Sequence, residues 1–417
     1  MKYRYYFILI VIVCSIIGLR LKDNLRIIYV DEIEVKQTVV VTDAPYHIGS
    51  KQILRLDKLV VESDRLGDVS LGDVLRIEGT ARRDFSSSRG EVRRWFNQTF
   101  RLVQPQIIRI QNEEVPLWFR FLSVAAKLRQ RWQGIYQRVL PEPQASLVAG
   151  MTWGWSLGMP ESFYQSLQKT GVLHVVAASG QNLTILAQML LIALTRFMSR
   201  KWAMGLLIVA VVGYTILAGM SPSIVRAAIM ASLSLVALSL GRQQDGLVAL
   251  GVAIAIMLLW KPLLLFDVGW QLSVAATLGL LVIKPKSELG VTLAAQIATL
   301  PILVVTFARV SLVSPLTNVL IAPLVPVIMA GGGMVAIAGS VWIGLAQAIG
   351  WLVWVPATVF VKIVEVMARV PWAQVPIEGL PWWWAIGYYL VLLSALGAVT
   401  PGARRPFAEV RANAVLI

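Results

Sequence analysis

The chain has 417 residues, 57% hydrophobic and 15% charged, with a mean hydropathy of +0.69. A soluble protein of this size cannot keep so much apolar surface from water, so most of the chain must be solvated by lipid, which excludes disorder, a coiled coil and an all-soluble enzyme. The net charge of +15 is spread along the chain, with 23 basic and 15 acidic residues in 1–141 against 15 and 8 beyond. That excess fits either positive-inside orientation in a membrane or the handling of a polyanion.

Chemistry-bearing residues are few. Cys14 is the one cysteine, so no intrachain disulfide can form, and His47 and His174 are the only histidines. A multi-histidine metal site is thereby excluded, and no cofactor, metal or catalytic group is expected. A GxxxxGK[ST] phosphate loop is absent, so the chain carries no visible ATPase of its own.

Residues 1–24 read as an uncleaved, N-terminal membrane anchor. The apolar run Tyr5 to Leu21 follows Lys2 and Arg4, and basic residues rather than a small-residue cleavage site come after it. Residues 25–112 are polar and alternate at period two, as in DVLRIEGTA and QTFRLVQPQIIRI. Gly67, Gly72, Gly79 and Gly90 are expected at turns. The pattern predicts a small all-β barrel of about five strands, of OB type, outside the membrane. Arg93, Arg94, Trp95 and Arg101, with Phe96 and Phe100, form a basic-aromatic cluster there. Such a cluster suits single-stranded nucleic acid, or equally an ordinary barrel edge packed on the membrane helix.

Within 115–141, Leu117, Phe121, Val124, Leu128, Trp132, Ile135 and Val139 recur at helical spacing, with Arg120, Lys127, Arg131 and Arg138 largely off that stripe. The helix suits a membrane surface, or packing against the barrel. Residues 146–400 then read as a multi-span domain. Its spans are expected at 172–195, 202–220, 223–240, 246–263, 268–283, 291–307, 312–329, 332–350 and 382–399, which with the anchor makes about ten. Residues 146–168 and 351–377 are apolar but broken, and suit interfacial or re-entrant segments. Residues 401–417 form a short basic tail. With Lys2 and Arg4 in the cytoplasm, Arg196, Arg200 and Lys201, then Arg242, Lys284 and Lys286, and Arg404 and Arg405 all fall on the cytoplasmic side.

Polar residues where lipid is expected mark candidate sites. Arg226 in SPSIVRAAIM and Asp267 in LLLFDVGWQLS are expected either to pair or to line a wet cavity. His174, Ser179, Gln181 and Asn182 lie around Gly180, which predicts a broken helix with freed backbone groups. Gln271 and Asn318 add polar groups on other spans, with Gln188, Ser273, Gln296 and Thr317. Singly each suits an interhelical hydrogen bond; together they suggest a polar interior. A serine-hydrolase reading of His174 and Ser179 fails, because residues five apart do not share a helix face.

These same segments resemble the ComEC competence family, the inner-membrane channel of bacterial DNA uptake. The family's central signature is matched by Thr170-Gly171-Val172-Leu173-His174 and Ala177-Ala178-Ser179-Gly180-Gln181-Asn182. Further blocks match in order: Leu217-Ala218-Gly219 with Pro222 to Met230, Gly241-Arg242 with Asp245, Pro262 to Leu280 around Asp267, and Pro301 to Val325 around Asn318. The family usually carries histidine where Asn182 stands. Many members add a C-terminal metallo-β-lactamase-like domain, and the chain resembles the form without it.

The resemblance implies a channel for single-stranded DNA across the bacterial plasma membrane, without enzyme activity of its own. The path would run past Arg226, His174, Ser179, Gln181, Asn182, Asp267, Gln271 and Asn318. It also implies an external DNA receptor, a cytoplasmic ATPase motor and a separate nuclease. A secondary transporter for a small polar or anionic solute is the alternative, since broken helices around mid-membrane polar groups serve that role too.

Overall fold

The computed structural model describes residues 15–18, 32–41, 46–48, 51–56, 59–63, 69, 72–84, 99–103, 106–109, 117–154, 158–177, 179–242, 245–377, 380 and 382–399. Among the described residues, a short helical stretch at 15–18 is followed by seven strands: β1 (Glu32–Val40), β2 (Tyr46–Ile48), β3 (Lys51–Leu56), β4 (Leu59–Ser63), β5 (Val74–Asp84), β6 (Thr99–Val103) and β7 (Gln106–Arg109). They form one sheet in the order β1-β5-β6-β4-β3-β2, with β7 also on β5. All pairs are antiparallel except β4 with β6. Val41, Leu54, Val61, Leu75 and Ile77 fill the sheet's core.

Gly79, expected at a turn, lies inside β5 opposite Val35. Below it, residues 75–78 pair with β7; above it, residues 81–84 pair with β6. A strand that changes partner must bend, and glycine in a strand interior commonly marks such a bend.

The helices follow in chain order. They are α1 (Leu117–Val139), α2 (Gln144–Trp153), α3 (Glu161–Lys169), α4 (Leu173–Val176), α5 (Gly180–Thr195), α6 (Arg200–Leu217) and α7 (Pro222–Ser239). Next come α8 (Gly246–Trp260), a 3-10 turn (Pro262–Phe266), α9 (Val268–Ile283), α10 (Glu288–Phe307) and α11 (Ser314–Ile321). The last are α12 (Leu324–Val341), α13 (Ile343–Ala368) and α14 (Trp382–Val399). A two-stranded ribbon, β8 (Arg309–Ser311) with β9 (Gln374–Pro376), ties the end of α10 to the segment after α13.

Among the described residues, α6, α7, α10, α12 and α13 are long and apolar enough to cross a membrane. Only 22–44% of their most apolar windows is buried, so these helices keep most of their surface outward. Large apolar side chains stand exposed along them, with Trp202 at 78%, Trp351 at 69% and Leu352 at 76%, which fits contact with lipid. Helices α5, α8 and α9 and part of α14 are apolar but shorter.

Two predicted boundaries are corrected. The span at 312–329 is split by Pro323, which carries no N–H to continue a helix, leaving α11 as a single short helix of eight residues. The span at 332–350 does not begin at the glycine run Gly331 to Gly333, which stays helical inside α12. The chain breaks instead at Trp342, in extended backbone, and α13 then runs unbroken through much of 351–377. The glycines serve close packing. A methyl group on Gly331 would lie 2.3 Å from Val353 Cγ2, and one on Gly332 would lie 2.4 Å from Thr152 Oγ1. Small residues at helix crossings are how membrane helices gain contact without a hydrophobic drive.

α1 does more than lie beside the sheet. Its N-terminal half packs Phe119 and Leu122 on Val40 and Val74 of the sheet, while Leu117, Phe121 and Val124 point outward. Its C-terminal half enters the main helical core with Trp132, Ile135 and Tyr136. There the Tyr136 hydroxyl donates to the Gly332 carbonyl at 2.8 Å and accepts from Trp153 Nε1 at 2.8 Å. Trp132 stacks on Trp153 at 4.2 Å between ring centroids.

Candidate functional site

The apolar segment that begins near Val172 is broken, as Gly180 predicted. α4 ends at Val176, Ala177 and Ser179 are extended, and α5 restarts at Gly180. Ser179 caps the new helix: its Oγ accepts from the Asn182 N–H at 3.4 Å and donates to Asn182 Oδ1 at 3.1 Å. Asn182 is fully buried, and its Nδ2 donates to the carbonyls of Met151, at 3.0 Å, and Val175, at 3.4 Å. The side chain thus joins α2, α4 and the start of α5.

Beside this restart lies Arg226, 6% exposed, one turn into α7. Its Nη2 and Nε donate to Ser273 Oγ at 2.7 and 3.1 Å, and its Nη1 donates to Thr277 Oγ1. Ser273 and Thr277 sit four apart on α9, so one helix face offers both acceptors. A charge inside a membrane helix costs about 2.5–3.5 kcal/mol. Hydrogen bonds to a charged group return about 1.5–3 kcal/mol each, so the hydroxyl pair offsets that cost.

The expected Arg226–Asp267 pair does not form. Asp267 spends its carboxylate as the N-cap of α9, accepting from the Trp270 N–H at 2.8 Å. Capping is local and requires no partner helix.

Gly180 completes the seam. A methyl group there would meet Ala227 Cβ at 3.0 Å and Arg226 Nη2 at 3.5 Å. The missing side chain therefore lets the N-terminus of α5 press against α7 at its arginine. The first-turn N–H groups of a helix have no intrahelical partner and carry partial positive charge. Ser179 covers that of Asn182 with its Oγ and that of Leu183 with its carbonyl, so the N–H groups of Gly180 and Gln181 give α5 a positive end next to a guanidinium.

The other predicted residues are placed apart from this seam or serve local structure. His174 is exposed, with Nδ1 3.0 Å from the Gly171 carbonyl oxygen, and Gln181 is exposed on the first turn of α5. Gln271 Nε2 donates to the Leu265 carbonyl at 2.8 Å, holding the 3-10 turn against α9. Asn318 Nδ2 donates to Ser314 O at 2.9 Å and Ser314 Oγ at 3.2 Å, within α11. Arg101 lies on β6, paired with Val60 and Arg82. Arg93, Arg94 and Trp95 lie outside the described residues.

Sequence reasoning missed Arg129. It is 7% exposed on α1, and a methyl group on Gly219 would lie 2.9 Å from its Nη1. The signal was present: Ala125, Arg129, Trp132 and Tyr136 share the buried face of the helix, so one arginine sits inside the inward stripe.

The fold and the seam describe a polytopic helical membrane protein with a buried cation at a helix break. A family model described as Competence protein matches residues 151–400, and the chain belongs to that family. Among characterised proteins it is similar to ComE operon protein 3 of Bacillus subtilis (strain 168), with 29% identity over 253 residues. That alignment covers 58% of this chain and 32% of the relative, so the chain aligns with about a third of the relative's length. No solved structure matches it.

Proposed function

We propose that the chain acts in DNA uptake, as the conduit that passes single-stranded DNA across the plasma membrane. The Competence family membership supports the role. The observation that carries the mechanism is the juxtaposition of Arg226 with the open N-terminus of α5, since both favour an anion at one point within the membrane domain. A phosphodiester passing there would exchange its hydration for the guanidinium and the α5 N–H groups. Ser273 and Thr277 would hold the arginine ready between phosphates. The seam is closed in this arrangement, with Arg226 6% exposed, so passage requires α5 and α7 to part from α9.

The finer architecture belongs to the same reading. About ten spans would cross the inner membrane, counting the anchor and the shorter apolar helices. The N-terminus would face the cytoplasm and the sheet the outside. The sheet's order, with a single parallel pair between β4 and β6, supports an OB-type barrel that collects the strand. α1 would carry that barrel at the membrane surface. An inside-negative potential opposes entry by about 2.3 kcal/mol per charge per 100 mV. A cytoplasmic ATPase, an outer receptor and a separate nuclease are therefore the expected partners.

The test is uptake of fluorescent DNA in the native host, with wild type, a deletion and Arg226→Ala at matched membrane levels. The reading expects DNA to bind deletion cells without entering the cytoplasm, with the same defect in Arg226→Ala. Normal import by the deletion strain would overturn it.

A further inference from the structure

We propose that the cleft where the N-terminus of α6 meets the C-terminus of α7 is a headgroup site for an anionic phospholipid. The cleft is open to the surface and has a volume of about 480 Å³. Arg200, Lys201 and Arg242 supply three cations to its wall, while Met204 and Leu238 supply an apolar face. Among the described residues, none of the three cations has an ion pair or a side-chain hydrogen bond. The carboxylate nearest in sequence is already committed: Asp245 Oδ1 accepts from the Leu247 N–H at 2.9 Å as the cap of α8. Three like charges around one cleft repel one another unless an anion sits between them.

The surroundings select lipid over a free strand. Trp202, Leu206 and Val209 follow one another down α6 at helical spacing, 78%, 46% and 66% exposed. They face away from Arg200 and Met204, but Leu238 in the cleft wall is 40% exposed and Leu240, between the lining residues Ser239 and Gly241, is 68% exposed, so exposed apolar side chains adjoin the cations at the cleft itself. Tryptophan beside arginine and lysine at the end of an apolar helix is the arrangement of a membrane interface. A phospholipid satisfies both parts at once, with phosphate among the cations and acyl chains against Leu238 and Leu240. Basic clefts between membrane helices hold anionic headgroups by this combination. Charges that only orient a helix need not converge on one cleft with an apolar wall.

The experiment uses the full chain in nanodiscs of phosphatidylcholine doped with photoactivatable phosphatidylglycerol, followed by peptide mapping. Labelling is expected in 199–206 and 236–242, and to be much weaker with photoactivatable phosphatidylcholine. Unlabelled phosphatidylglycerol should compete, whereas inorganic phosphate at equal concentration should not. The variant Arg200→Gln/Lys201→Gln/Arg242→Gln should lose affinity on the order of 100-fold, taking about fivefold per cation. The variant Lys284→Gln/Lys286→Gln should bind as wild type. Wild-type labelling outside the two segments, equal labelling by the two lipids, or displacement by inorganic phosphate would overturn the site. Protection of the cleft by a single-stranded oligonucleotide but not by lipid would assign it to nucleic acid instead.

Discussion

Gly279→Ala should loosen the α9–α10 pair that holds the acceptors of Arg226. The added methyl would lie 2.5 Å from Ala298 Cβ and 3.0 Å from the Ala294 carbonyl oxygen. Carbon atoms pack without strain at about 3.5–4.0 Å, so the helices must part by roughly 1 Å. Neither obstacle is the end of a flexible side chain, so no rotamer relieves the clash. Overpacking of this kind costs about 1–3 kcal/mol, and the helical gain of alanine over glycine returns about 0.5–1 kcal/mol. A net loss of about 1–2 kcal/mol is expected in reversible unfolding of the purified chain in mixed micelles. Ala298→Gly removes the closer obstacle, so the double variant should recover at least about 1 kcal/mol relative to additivity. Additive losses, or a Gly279→Ala variant as stable as wild type, would refute the packing argument.

Other perturbations test the seam by separate routes. Ser273→Ala/Thr277→Val strips the guanidinium of its oxygen acceptors and should destabilise the fold by about 3 kcal/mol in the same unfolding assay, with Arg226→Met added to it partly restoring stability. Asn182→Leu leaves the Met151 and Val175 carbonyls without their donor and should cost about 1–3 kcal/mol, read as faster proteolysis around the α4–α5 break. Asp245→Ala removes the α8 cap and should cost about 1 kcal/mol, with Asp245→Asn close to wild type in thermal unfolding.

Much of the helical layout was legible because apolar runs and their punctuation are local. The span expected at 268–283 coincides with α9, and that at 223–240 is displaced from α7 by one residue. The break near Gly180 was legible for the same reason. The span boundary expected at 332 was misplaced because the packing of Gly331 to Gly333 inside α12, against neighbours such as Val353, is a tertiary fact. Gly79 misled similarly, since a change of strand partner is a tertiary event. Arg226 stood out by its charge, but its partners did not. Opposite charge suggested Asp267, while the acceptors are hydroxyls 47 and 51 residues away: Ser273 stood out only as one polar group among several, and Thr277 did not stand out.

The central claim is that a strand passes the seam between α5, α7 and α9. The direct measurement arrests a transforming strand in living cells with a bulky end block and maps photo-crosslinks from nucleotides along its length. The account predicts crosslinks in 179–183, 222–230 and 270–278, lost in Arg226→Ala cells that still bind DNA at the surface. Strands that reach the cytoplasm while crosslinking to other membrane proteins and never to these helices would contradict it.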